Sequence, residues 1–117
     1  MTPEEVAAYA LAKPGAWADQ PWEGDHVAKV GDKIFAFLGG LGSGESAAVG
    51  VKLGTRAEAD EWIAEFPDHA AVSAYIGRHG WNTLVVGGAI PDDALREAID
   101  TSYELVVAKL PRSQRPE

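Results

Sequence analysis

The segment WNTLVVGGAIPDDALREAIDTSYELVVAKLP, residues 81–111, predicts a strand followed by a long helix. Residues 81–86 are largely apolar and end at Gly87 and Gly88, as a strand does before a turn. Pro91 and the two acidic residues after it favour a helix start, because acidic side chains stabilise the positive end of the helix dipole. Apolar side chains then recur at helical spacing up to Pro111. We expect this helix to pack along the sheet that contains the strand.

Two more helices are predicted by their N-terminal residues. Thr2 and Glu5 have the spacing of a capping box, in which each side chain bonds the backbone N–H of the other residue. Thr55 and Glu58 repeat that spacing before a second amphipathic segment that ends at Pro67. The sequence therefore predicts helices after residue 2, after residue 55 and after residue 91.

Three further strands are predicted between the first two helices. They cover residues 26–30, 33–38 and 47–53, and Gly31 with Asp32 forms a two-residue hairpin turn. Residues 14–25 have the composition of a coil, and residues 68–79 fit a short helix or an irregular crossover. The order α-β-β-β-α-β-α is typical of an α+β fold in which helices cover an antiparallel sheet. The length of 117 residues predicts a single domain, 1–117.

The composition restricts the classes of function. The net charge is −8, from 18 acidic and 10 basic residues, and such a chain repels nucleic-acid phosphates except at a local basic patch. The absence of cysteine excludes disulfides and thiolate chemistry. No apolar run reaches the roughly 20 residues of a membrane span, and the first residues are acidic, unlike a secretory signal. We therefore expect a cytoplasmic protein with no membrane partner.

The glycine-rich segment GGLGSGES, residues 39–46, resembles a phosphate-binding loop in its spacing. A phosphate-binding loop requires a lysine before the final serine or threonine and a helix after it, because the helix N-terminus holds the phosphates. Here Glu45 replaces the lysine, and an alternating strand pattern follows. The segment therefore predicts a hairpin connection and no nucleotide site.

Three stretches together resemble the MmcQ/YjbR family of small bacterial proteins. They are GDHVAKVGDKIFAFL at 24–38, VKLGTRAEADEWIAEFP at 51–67 and the segment 81–111 already described. The resemblance implies a frataxin-like, or CyaY-like, fold and a binding function without catalysis. It also implies DNA binding through β-hairpin wings. The candidate DNA-binding residues are Lys29 and Lys33, which flank the first hairpin tip, and Arg78.

Two other binding functions are left open by the residues themselves. A planar small molecule could be bound or sequestered by an aromatic pocket, for which the candidates are Trp17, Trp22, His79, Trp81 and Asn82. Alternatively Trp81 packs on the sheet and Asn82 bonds a turn backbone. An apolar surface patch would instead indicate a protein-interaction module. The three histidines have no metal-ligand spacing, so we predict neither a metal nor a cofactor.

Overall fold

The computed structural model describes residues 1–22, 25–38 and 47–116, with the backbone only for Trp22 and Asp25. The α-helices are α1 (Pro3–Leu11), α2 (Arg56–Glu65) and α3 (Asp92–Ala108). The strands are β1 (Ala16–Trp22), β2 (Asp25–Val30), β3 (Lys33–Phe37), β4 (Ala48–Lys52), β5 (Ala70–Val72) and β6 (Trp81–Val85). Short 3-10 turns occupy Gly77–His79 and Arg112–Gln114.

The six strands form one antiparallel sheet in the order β1-β2-β3-β4-β6-β5. Helices α1 and α3 contact each other and pack on strands from β1 to β4, whereas α2 packs on β5 and β6. The predicted α+β class is confirmed, and every predicted helix and strand is present in the predicted order. The likeness to frataxin stays a prediction.

Two strands lie where the sequence did not predict them. The predicted coil of residues 14–25 contains β1, an edge strand that pairs with β2 and has a bulge between Asp19 and Trp22. The strand contains Pro21, which an edge strand tolerates because its outer N–H groups need no partner in the sheet. The uncertain stretch 68–79 contains β5, which has only three residues and is too short for a recognisable alternation.

The local signals at helix starts and at the first turn are confirmed. Both capping boxes form: Thr2 accepts from the N–H of Glu5, and Thr55 accepts from the N–H of Glu58. Gly31 has a φ of 60°, which glycine adopts without strain, and it closes the β2–β3 hairpin where Val30 pairs with Lys33.

The core lies between α3 and the central strands. The apolar face predicted for the last helix is buried, and it consists of Leu95, Ile99, Val106 and Leu110. The ring of Tyr103, also on this face, meets Phe35 of β3 edge to face at 5.2 Å between centroids. Among the described residues, no helix has the length and hydrophobicity required to cross a lipid bilayer.

The glycine-rich segment 39–46 lies outside the described residues. Strand β3 ends at Phe37 before it, and strand β4 begins at Ala48 after it. It therefore connects two antiparallel strands, as the hairpin interpretation predicts, and no helix follows it to hold phosphates.

A candidate anion-binding cleft

Antiparallel pairing brings four strand ends to the same end of the sheet. Strands β2 and β4 finish there, at Lys29–Val30 and at Lys52, while β3 and β6 begin there, at Lys33 and at Trp81. The C-terminal end of α3 reaches the same place. Basic residues that are far apart in the sequence therefore lie around one concave surface.

This surface, which we call the lysine cleft, has a volume of about 420 Å³. Its apolar lining comes from Ile34, Trp81 and Val106, and Trp81 is further supported by Phe37 at 5.4 Å between ring centroids. The remaining lining residues are Pro21, Lys29, Asp32, Lys33, Lys52 and Lys109. An apolar floor with charged groups around it is the usual construction of a small-molecule site.

Lys52 experiences the crowding of positive charge most strongly. It is partly buried and lies directly across from Trp81 in the β4–β6 ladder. Burial, and then the positive charges of Lys109 and Lys33, lower the pKa of its ammonium group below that of an ordinary lysine. No carboxylate among the described residues is within salt-bridge distance of these three ammonium groups. An anion bound here would relieve their mutual repulsion.

Lys29 differs from the other three lysines because its charge already has partners. Its Nζ lies 2.8 Å from Asp19 Oδ2 and 5.2 Å from the centre of the Trp17 ring. The hydrogen bond from Lys29, together with the N–H of Gln20, lowers the pKa of the Asp19 carboxyl. Lys29 thus contributes its alkyl chain to the wall and less of its charge to the cleft.

A second cleft of about 340 Å³ adjoins the first, and Lys52 and Lys109 line both. Its other lining residues are Gly54, Thr55, Glu58, His79 and Leu105, and we call it the Glu58 cleft. Gly80 makes the arrangement possible: a Cβ there would lie 1.8 Å from the carbonyl oxygen of Gly54. Because glycine lets the chain pass so closely, His79 lines the second cleft while Trp81 lines the first.

The structure brings together some of the predicted site residues. Lys29, Lys33 and Trp81 line the lysine cleft, and His79 lines the adjoining cleft. Arg78 is exposed and lines neither cleft; its Nε donates to Nε2 of His79 at 3.3 Å. Of the predicted DNA-binding set, the two lysines therefore line the lysine cleft and Arg78 lies outside both clefts.

Of the tryptophans predicted to form an aromatic pocket, Trp81 lines the lysine cleft and Trp17 does not. Trp17 is 44% exposed on β1, and its indole N–H donates to the carbonyl of Gly31 at 2.9 Å. Trp17 is absent from the lining of both clefts, and the side chain of Trp22 lies outside the described residues. The aromatic wall of the lysine cleft is Trp81.

Asn82, predicted as a ligand contact, lines neither cleft. It is fully buried, because alternation along β6 points it away from the side of Trp81. Its amide donates to the carbonyl of Ala59 at 2.7 Å and accepts from Arg56 Nη2 at 2.5 Å. The same guanidinium donates to the carbonyl of Gly77. Asn82 therefore joins α2 to the sheet: its role is structural, but its backbone partner lies in a helix and not in the predicted turn.

Lys52 and Lys109 line the clefts but were not among the site residues predicted from the sequence. Each stands at the C-terminal end of its element, β4 or α3, and the sequence does not show which element ends meet. Among the described residues, no group of three or more histidine or acidic side chains could hold a metal ion.

Comparison with known proteins places this fold in a family. The YjbR family model matches residues 11–105. The Escherichia coli K12 protein YjbR is 28% identical over 117 residues, a match that covers 98% of this chain and 95% of that protein. The YjbR protein of Escherichia coli O157:H7 gives the same values.

Two crystal structures share the fold. A Deinococcus radiodurans protein with a DUF419 domain superposes with a TM-score of 0.83 at 19% identity, over 97% of this chain and 84% of that one. A Pseudomonas syringae protein superposes with a TM-score of 0.68 at 17% identity, over 90% of this chain and 98% of that one. With a family match that spans most of its length, the chain belongs to the YjbR family.

Proposed function

We propose that this protein binds a small anionic molecule that carries an aromatic or other planar group. The observation that supports this most is the convergence of Lys33, Lys52 and Lys109 around a cleft floored by Trp81 and Ile34. These lysines are three of only 10 basic residues in a chain of net charge −8. Their meeting in one concavity concentrates positive potential where an anion can bind.

The size of the cleft favours a small molecule. A volume of about 420 Å³ is within the range of roughly 300–1,000 Å³ typical of small-molecule sites. The indole of Trp81 offers a surface for a planar ring, and the ammonium groups act as point charges for phosphate or carboxylate. Binding to this cleft involves no nucleophile or general base, so we propose a binding protein and not an enzyme.

DNA binding stays a prediction, and the geometry supports it less well. A duplex presents regularly spaced phosphates, which a protein neutralises with several lysines or arginines along one surface. Here Lys29 is paired with Asp19, Arg78 lies outside the cleft, and Lys52 is recessed. The acidic remainder of the chain would repel the neighbouring phosphates.

Calorimetric titration with 4-nitrophenyl phosphate tests the proposal, because this compound combines one aromatic ring with one phosphate. Lys52→Met and Lys109→Met should each weaken binding at least about tenfold, as expected for the loss of a charged hydrogen bond. Arg96→Gln is the matched control: it removes the same charge from an exposed position on α3 that lines neither cleft. No measurable binding, or equal weakening by the control, would reject the proposal.

A further inference from the structure

The Glu58 cleft is chemically different from the lysine cleft, although the two share Lys52 and Lys109. The lysine cleft has the indole of Trp81 and the side chains of Ile34 and Val106, with Lys29, Asp32 and Lys33 also in its lining. The other has the Glu58 carboxylate, the His79 imidazole and the Thr55 side chain. The shared lysines therefore stand between a compartment that contains an aromatic ring and one that contains a carboxylate.

The Glu58 carboxylate is charged and held in place at neutral pH. Its Oε1 accepts a hydrogen bond from the N–H of Thr55 at 3.0 Å. That bond and the Thr55 hydroxyl lower the pKa of the Glu58 carboxyl. An ionised carboxylate accepts hydrogen bonds only, so this compartment favours a ligand part with hydroxyl or amino donors. It disfavours a second anionic group.

A ligand that fills both compartments has its middle beside Lys52 and Lys109, the two lysines that line both, so this position favours a negatively charged group. A phosphate diester has this arrangement, because one tetrahedral anionic group joins two arms and presents oxygens in more than one direction. Lys52 approaches from β4 and Lys109 from the end of α3, so the two ammonium groups meet such a centre from different elements. A planar carboxylate at the end of a molecule would leave one compartment unfilled.

We infer that the two clefts form one site for a small phosphate diester with an aromatic arm and a hydroxyl-bearing arm. The aromatic arm lies against Trp81, the phosphate lies between Lys52 and Lys109, and the hydroxyl groups donate to Glu58. This inference rests on the proposed function, because it assumes that the lysine cleft binds an anion. It adds the chemical class of the ligand and assigns a role to Glu58.

The test compares two diesters of equal charge that differ in one arm. Methyl 4-nitrophenyl phosphate has no hydroxyl group, whereas 2,3-dihydroxypropyl 4-nitrophenyl phosphate has two. Calorimetry on the full chain should show that the dihydroxypropyl ester binds about tenfold more tightly, as expected for a hydrogen bond to a charged group. Glu58→Gln should reduce that ratio toward one.

Glu58→Gln preserves the helix start, since glutamine also serves at this position of a capping box, and an unchanged melting temperature would verify this. The variant removes a negative charge, so the methyl ester should bind at least as tightly as before. Glu61→Gln, an exposed change on the same helix outside both clefts, should leave the ratio unchanged.

Failure of the inference and failure of the proposed function give different results. If both esters bind the wild-type protein equally, or if Glu58→Gln keeps the full ratio, the two-compartment site is wrong while the anion cleft stands. If neither ester binds and 4-nitrophenyl phosphate does not bind either, then both the two-compartment site and the anion-binding cleft are wrong.

Discussion

The backbone N–H of Lys52 donates a hydrogen bond to Oγ of Ser102 at 2.8 Å, although 50 positions separate the two residues. The Ser102 hydroxyl in turn donates to the carbonyl of Phe35 at 2.5 Å. The β3–β4 ladder pairs Phe37 with Gly50 and Ala36 with Val51, so Phe35 and Lys52 would form the next pair. The α3 hydroxyl bridges the two strands at the point where their ladder stops. It thereby fixes the strand end from which the Lys52 side chain enters the clefts.

Ser102→Ala should destabilise the fold, because it leaves a buried N–H and a buried carbonyl without their shared partner. The expected loss is about 1–3 kcal/mol in the free energy of unfolding, measured by urea denaturation. Ser113→Ala, at an exposed position after α3, should change it by less than about 0.5 kcal/mol. Equal stability of the Ser102 variant and wild type would show that the bridge contributes nothing.

Lys52→Met should stabilise the protein while it impairs anion binding. The folded state holds this ammonium group partly buried and near two other lysines, which lowers its pKa and disfavours its charge. Removing the charge should raise the melting temperature by about 1–3 °C at neutral pH. A residue retained at a cost in stability is a reasonable candidate for a binding role.

Lys13→Met should change the melting temperature in the opposite direction and serves as the comparison for Lys52→Met. Burial alone would lower the pKa of Lys13, but the Asp100 carboxylate and the Tyr9 hydroxyl raise it overall. This lysine joins α1 to α3, so its loss should lower the melting temperature by about 2–4 °C. If both variants shifted in the same direction, the charge argument for Lys52 would be wrong.

As the pH rises, the binding of 4-nitrophenyl phosphate should begin to weaken at a lower pH than it would at a site whose lysines all have the ordinary pKa. The folded-state pKa of Lys52 lies below 10.5, so its charge, which attracts the anion, is present below that lowered pKa and lost above it. The other titratable groups lining the two clefts are Lys29, Asp32, Lys33, Glu58, His79 and Lys109. Lys52→Arg should keep its charge and retain binding to higher pH. An identical pH profile for the two proteins would exclude Lys52 as the titrating group.

The same lowered pKa has a second consequence, for stability in the absence of ligand. Because the charge of Lys52 is disfavoured in the folded state, its penalty is present at neutral pH and is relieved as pH rises through the lowered pKa. The stabilising effect of Lys52→Met should therefore be largest near neutral pH. It should shrink as pH approaches the ordinary lysine pKa of about 10.4.

Local signals in the sequence were sufficient for most of the fold. Capping boxes at Thr2 and Thr55 and the turn at Gly31 depend on residues close together in the chain, and they form as predicted. Strand β5 is not predictable from the sequence because three residues give no period, and β1 lies in a segment whose composition is that of a coil. The site is harder to predict from the sequence, because Lys52 and Lys109 meet only after three strands and a helix have packed. Nothing local to either lysine indicates the other.

Asn82→Ala should lower stability without changing the intrinsic affinity of the clefts. The variant removes the acceptor of the partly buried Arg56 Nη2 and the donor to the Ala59 carbonyl, which is in a buried position. A loss of about 2–4 kcal/mol is expected because one partner is a charged group. Titration of 4-nitrophenyl phosphate, at a temperature where the variant is folded, should give the wild-type dissociation constant. A large loss of affinity would restore Asn82 as a ligand contact.

Duplex DNA should bind weakly, and salt should abolish that binding. Lys33 and Arg78 are both exposed, whereas the charge of Lys29 is already paired with Asp19. About two phosphate contacts are therefore available. Each contact adds about 0.9 to the slope of log affinity against log salt, so two contacts predict about a 12-fold loss between 50 and 200 mM salt.

Fluorescence anisotropy with a labelled duplex measures this slope, and the double change Lys29→Glu with Lys33→Glu should remove the binding seen at low salt. Tight binding with a slope of six or more would require more phosphate contacts than Lys29, Lys33 and Arg78 can supply. Such a result would favour the hairpin-wing hypothesis over the anion cleft. Weak binding that 4-nitrophenyl phosphate displaces would instead show that DNA phosphates occupy the lysine cleft only as a substitute for its smaller ligand.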